Sequence, residues 1–156
     1  MVKKINKAKL ISYVATITLA LIILMDFSLP GNAMTEEIKS IHKEKQSYNN
    51  AGGNFHYVHT INTTNHKFPV SEVFAKSHKD KTISFTTSLI FDEINEYSSS
   101  NFKNSSHYSL RIASGLTLPV IVILVLLVSL KLKKRMDTLV FVLQAVMVAD
   151  LIFLLL

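Results

Sequence analysis

Residues 112–130 read IASGLTLPVIVILVLLVSL, residues 131–137 read KLKKRMD, and residues 138–156 read TLVFVLQAVMVADLIFLLL. Two apolar runs flank a short basic turn. As a helix, each run covers about 30 Å at about 1.5 Å per residue, the thickness of a bilayer's hydrocarbon core. A soluble helix of that length carries a polar stripe. Neither run has one, so the pair reads as a membrane hairpin. Residues 10–29 (LISYVATITLALIILMDFSL) have the same character. The expected fold class is therefore membrane α-helical, with three transmembrane helices and a small α+β insert between the first two.

The composition agrees with this. The chain has 156 residues, 49% of them hydrophobic and 18% charged, and its mean hydropathy is +0.31. The absence of Cys excludes a disulfide framework, a thiolate metal site and a cysteine nucleophile. The net charge of +6 invites a nucleic-acid reading, but the charges sit in the wrong places for one. Residues 31–110 hold eight basic and eight acidic side chains, so the insert is neutral. The excess lies at Lys3, Lys4, Lys7 and Lys9, and at Lys131, Lys133, Lys134 and Arg135. Short basic patches beside apolar helices orient them toward the cytoplasm and touch anionic headgroups.

The expected organisation follows. Residues 1–9 form a cytoplasmic basic N-terminus and residues 10–29 the first helix. Residues 30–110 form an extracytoplasmic domain with its linker, and residues 111–130 the second helix. Residues 131–137 form a cytoplasmic turn and residues 138–156 the third helix. Gly31-Asn32-Ala33 resembles a small-x-small cleavage site. The apolar run continues to Leu29 across Asp26, however, so we favour an uncleaved anchor. The Lys/Asn/Ile-rich composition points to a bacterial plasma membrane.

Within the insert, Thr35-Glu36-Glu37 resembles a helix start. Met34, Ile38, Ile41, Lys45 and Tyr48 follow at helical spacing, which predicts a helix over about 34–48. Residues 55–61 alternate as a strand, and Pro69 places 67–70 at a sheet edge. Ser71 caps a short helix through Lys76. Residues 82–87 are the clearest strand, by β-branched content. Residues 89–97 read as a fourth strand bent near Asp92. The Ser/Asn-rich stretch 98–109 reads as a flexible linker. About four short strands and one helix without disulfides make a marginal core, which predicts reliance on the membrane, a partner protein or a second copy.

The informative polar residues are those inside the apolar runs. Asp26, Arg111 and Asp150 all fall near the same, outer side. A carboxylate in hydrocarbon costs on the order of 3 kcal/mol unless neutralised or paired. Arg111 is therefore expected to bridge Asp26, Asp150 or both, in a cluster pinning the three helices. Ala113, Gly115, Thr117 and Pro119 crowd the same end. Small residues permit close helix contact, and Pro119 frees a carbonyl and kinks the helix. Asp150 alternatively serves a transporter or channel subunit.

Six histidines (His42, His56, His59, His66, His78, His107) lie in the insert. They open a second alternative, an extracytoplasmic pH or metal sensor. His56 and His59 are three apart, which on a strand points them to opposite faces, so no metal site is assigned. No cofactor is implied. There is no G-x-S-x-G, H-E-x-x-H or phosphate-binding loop. The expected function is a non-enzymatic accessory or scaffolding subunit that contacts a partner or a second copy.

Overall fold

The computed structural model describes residues 7–47, 55–77, 80–99, 102–107, 109–132 and 136–155. The chain divides into two units. One comprises Met1–Leu29, Leu89–Glu93 and Ser109–Leu156; the other comprises Pro30–Ser88 and Ile94–Tyr108.

The first unit is helical. Helix α1 covers Lys7–Ser28. Helix α3 (Ser109–Ile112) runs through a π turn (Ala113–Thr117) into α4 (Leu118–Leu132), and α5 covers Asp137–Leu155. Three helical stretches, Lys7–Ser28, Leu110–Lys131 and Asp137–Leu155, are long and apolar enough to cross a membrane. They pack through narrow seams. Tyr13, Ala20 and Ile23 of α1 meet Val122 and Leu126 of α4 and Val140, Met147 and Leu154 of α5. The α5 residues recur every seven positions, the repeat that keeps one face on its neighbours. The remaining faces are also apolar and lie exposed, including Ile11, Val14, Leu124 and Phe141. That is why the sequence shows no polar stripe.

The π turn has a local cause. Pro119 has no N–H, and its ring would clash with a carbonyl one α-helical turn earlier. Widening that turn by one residue relieves the clash, and the Leu118 N–H then bonds to the Ala113 carbonyl.

The second unit holds two antiparallel sheets. One has the order β1 (Asn32–Glu37), β5 (Thr82–Thr87), β6 (Ile94–Ser99), β7 (Phe102–His107). The other has the order β2 (Ser40–Ser47), β3 (Phe55–Asn62), β4 (Lys67–Val70). Only Ile38 and Lys39 separate β1 from β2. The Ile38 N–H bonds to the Lys81 carbonyl and the Lys39 N–H to the Asn62 carbonyl, at 2.8 and 2.9 Å. Two consecutive residues thus serve different sheets. The core is Ile61, Phe68, Val70, Phe74, Ile83, Phe85 and Tyr97. Phe68 lies 5.3 Å from Phe85, and Phe74 meets Tyr97 edge-on at 4.9 Å. The Tyr97 hydroxyl accepts the Ser71 N–H at 2.9 Å. The Ser71 hydroxyl in turn caps α2 (Glu72–Ser77) by accepting the Phe74 N–H at 3.2 Å.

Several expectations for this insert are corrected. Residues 34–47 do not form a helix: 32–37 and 40–47 are strands, and Tyr48 lies outside the described residues. A spacing of four, as between Met34 and Ile38, suits both a helix and a strand. The residue that decides between them is Glu36, whose side chain is turned inward and only 11% exposed. The described residues hold seven strands rather than about four. The strand expected at 89–97 begins only at Ile94, because Asp92 takes a left-handed conformation (φ 56°). The stretch expected as a linker contains β7, which pairs with β6. The strand expected at 55–61 is β3, one residue longer, and the strand at 82–87, the edge position of Pro69 and the Ser71 cap stand as expected.

Candidate functional site

Asp26 sits near the end of α1 and is buried. Its Oδ2 accepts from the Arg111 guanidinium at 2.7 Å, and both side chains are at most 1% exposed. Its Oδ1 accepts the Ile90 N–H at 2.7 Å. The carboxylate is therefore held by one charged and one main-chain donor, from two separate stretches of chain. The Arg111 guanidinium also lies 5.7 Å from the Phe27 ring. A Cβ at Gly115 would come within 2.7 Å of Phe27 Cβ, so only glycine lets the π turn approach α1 this closely. Glu93, from the segment just before β6, adds to the acidic surroundings. Burial pushes its carboxyl above the usual range, while Arg111 pulls it back down.

Asp150 is not joined to this pair by a hydrogen bond. It faces the Ser114 hydroxyl and feels the charge of Arg111. Asp150 Oδ2 and Ser114 Oγ are nevertheless buried with no hydrogen-bond partner. Of the three polar residues expected to cluster, the structure pairs Asp26 with Arg111 and leaves one Asp150 oxygen unanswered. Ala113, Gly115 and Thr117 lie within the π turn itself, and Pro119 follows it.

The other end of the helical unit carries polar ties that sequence reasoning missed. The Gln144 amide donates to the Ser12 and Thr16 hydroxyls at 2.8 and 3.1 Å, joining α5 to α1. The buried Tyr13 and Ser129 hydroxyls share a 3.1 Å hydrogen bond between α1 and α4. Lys9 pairs with Asp137. Apart from Lys9, each of these residues is unremarkable in its own run, and only the pairing of helices makes them partners. Of the basic residues singled out earlier, Lys7, Lys9 and Lys131 are described. Lys3, Lys4, Lys133, Lys134 and Arg135 lie outside the described residues.

In the sheet unit, Glu36 of β1 accepts from the Thr63 hydroxyl at 2.5 Å and the Asn65 N–H at 3.0 Å. It also accepts from the Asn65 amide at 3.3 Å and bonds to His66 Nδ1 at 2.8 Å. Partial burial pushes the Glu36 carboxyl up. The hydrogen bonds outweigh that and hold it at about 2. The arrangement ties the first sheet to the β3–β4 turn. His42 bonds to Ser40 at 2.9 Å, and His59 is buried opposite Lys43. Among the described residues no three His, Asp or Glu side chains converge as metal ligands. His78, and the side chain of His107, lie outside the described residues.

Comparison with protein families, curated proteins and solved structures finds no match for this chain. Its function is therefore argued from the residues alone.

Proposed function

We propose that the chain is a small integral membrane protein acting as a non-enzymatic accessory or scaffolding subunit. In this reading its three long apolar helices span the bilayer. The N-terminus and residues 131–137 face the cytoplasm, and residues 30–110 lie outside a bacterial plasma membrane. The observation that carries the reading is the apolar surface left exposed on every helix, with Ile11, Phe141 and Leu155 each about two-thirds exposed. Contiguous surface of this kind needs lipid or protein to cover it. The basic patches favour the stated orientation. A disulfide-free two-sheet unit with a small core favours a partner or a second copy. The Asp26–Arg111 pair then serves to register the helices rather than to do chemistry.

A transporter or channel subunit is the second reading, and the unanswered Asp150 oxygen favours it. The two separate by experiment. Solubilisation of tagged protein in mild detergent is expected to bring down a stoichiometric partner or a defined homo-oligomer, whose assembly survives Asp150→Asn. A monomer without a partner would sink the scaffolding reading. Reporter fusions after residues 29, 137 and 156 test the orientation. An inside signal for residues 30–110 would overturn it.

A further inference from the structure

Strands β2 and β3 pair along their whole length, but β4 pairs only with residues 59–62 of β3. Beyond His59 the sheet is a two-stranded ribbon of 44–47 against 55–58. Side chains alternate along a strand, so Ile61, His59, Tyr57 and Phe55 share one face. Ile61 and His59 are buried; past them the core ends, and Tyr57 and Phe55 are 48% and 50% exposed. Lys43 and Lys45 of β2 share that face, opposite His59 and Tyr57. Lys43 Nζ lies 4.0 Å from the centre of the Tyr57 ring and Lys45 Nζ 4.0 Å from that of Phe55. The two rings meet edge-on at 5.6 Å. By the same alternation His42, Glu44, Gln46 and His56 take the opposite face.

Among the described residues of the sheet unit, Val73 of α2 is the one other large apolar side chain left exposed. Glu72 beside it pairs with Lys76 and feels the charge of Lys43. Three ammonium groups, of Lys43, Lys45 and Lys76, thus stand against one carboxylate. The apolar area amounts to two half-exposed rings and a valine. A stable protein interface takes roughly 800 Å² from each partner and depletes lysine from its centre. Aromatic rings beside lysines instead match the headgroup zone of a bilayer, with rings at the polar–apolar boundary and ammonium groups at phosphates. Little affinity is needed, because the sheet unit is joined in sequence to apolar helices on both sides and the contact is intramolecular.

We infer that the Lys43, Lys45, Phe55 and Tyr57 face of the β2–β3 ribbon docks on anionic phospholipid of the bilayer that holds the chain's helices. The inference rests on the membrane reading and adds to it a reversible contact that depends on lipid charge.

The chain contains no Trp, so Phe55→Trp creates a single fluorescent reporter. Tyr57→Trp is the second reporter should the first fail to fold. Each full-length variant is placed one per nanodisc, in phosphatidylcholine alone or mixed with phosphatidylglycerol, with acyl chains brominated near the headgroups. Emission is expected to shift to shorter wavelength and to be quenched by bromine in the phosphatidylglycerol discs, and far less in the others. Adding Lys43→Gln and Lys45→Gln should lower the docked-to-free ratio roughly thirtyfold, about fivefold for each lysine. Phe141→Trp, at an exposed position on α5, tests the membrane reading separately and should be quenched in both lipids. Quenching of Phe141→Trp without quenching of the ribbon reporters overturns the docking alone. Quenching of neither overturns the membrane reading and the docking with it. Docking on anionic lipid is also overturned by ribbon quenching that is equal in the two lipids or unmoved by the lysine substitutions. A wavelength shift without quenching overturns it as well, since that marks contact with protein.

Discussion

Removing Asp26 and removing Arg111 should not be equivalent. In Asp26→Ala the buried guanidinium loses the carboxylate 2.7 Å from it, and the Ile90 N–H loses its acceptor. Breaking a buried ion pair from one side costs roughly 3–5 kcal/mol. The second orphan pushes the expected loss toward the upper end of that range. Arg111→Met leaves the Asp26 carboxylate with its main-chain donor, the Ile90 N–H. Its loss should be smaller by about 1–2 kcal/mol, the main-chain hydrogen bond to Asp26 being kept. Replacing both, Asp26→Leu with Arg111→Met, removes the charge problem and should recover most of the stability. Unfolding of the detergent-solubilised chain by SDS, followed by far-UV circular dichroism, reads all three. Equal losses in the two single variants, or a double variant no better than Asp26→Ala, would refute the argument that the pair is a matched buried unit.

Gly115→Val should force Phe27 and the π turn apart, at a cost of about 1–3 kcal/mol in the same titration. The smaller side chain of Phe27→Ala should restore part of it. Gln144→Leu should weaken the α1–α5 tie by roughly 0.6 kcal/mol, a typical value for hydrogen bonds between membrane helices. A double-mutant cycle with Ser12→Ala would measure it. The Glu36 carboxyl is held at about 2, below its ordinary 4.5. It therefore contributes stability that is fully present above about pH 4.5 and is lost as pH falls toward 2. Hydrogen–deuterium exchange in β1 and the 63–66 turn should accelerate across that window in the wild type. Glu36→Gln should exchange faster at neutral pH and show no such window.

The helices were legible because each is set by a long local run that needs no partner to recognise. Asp26 and Arg111 stood out for a related reason: an ionisable group in an apolar run must find company. Its identity was half legible. Arg111 is the one cation at that end of the runs, but the Ile90 N–H belongs to a stretch whose sequence gives no sign of packing on a helix. Gln144, Ser12 and Thr16 were overlooked because ordinary polar residues acquire partners only when helices are paired. In the insert, Glu36 misled the reading. Thr35 followed by two glutamates looks like a helix start, with the carboxylates at its positive end. Glu36 is instead an inward carboxylate whose four hydrogen-bonding groups lie between residues 63 and 66. No local period encodes a polar residue that is buried because of distant donors.

The ion pair also sets a problem of timing in biogenesis. Arg111 follows Asp26 by 85 residues. At about 5–20 residues per second, the ribosome needs roughly 4–17 s to supply it. On the membrane reading, the leading helix reaches the insertion machinery carrying a carboxylate whose counter-ion does not yet exist. Asp26 lies near the trailing end of α1, which in this orientation reaches the outer face, where the carboxylate can rest at the lipid headgroups until Arg111 arrives. Its placement there gives the nascent chain a resting depth. Final seating of the first helix becomes conditional on translation of the second, so a chain truncated before Arg111 would be left shallow and open to quality-control proteolysis.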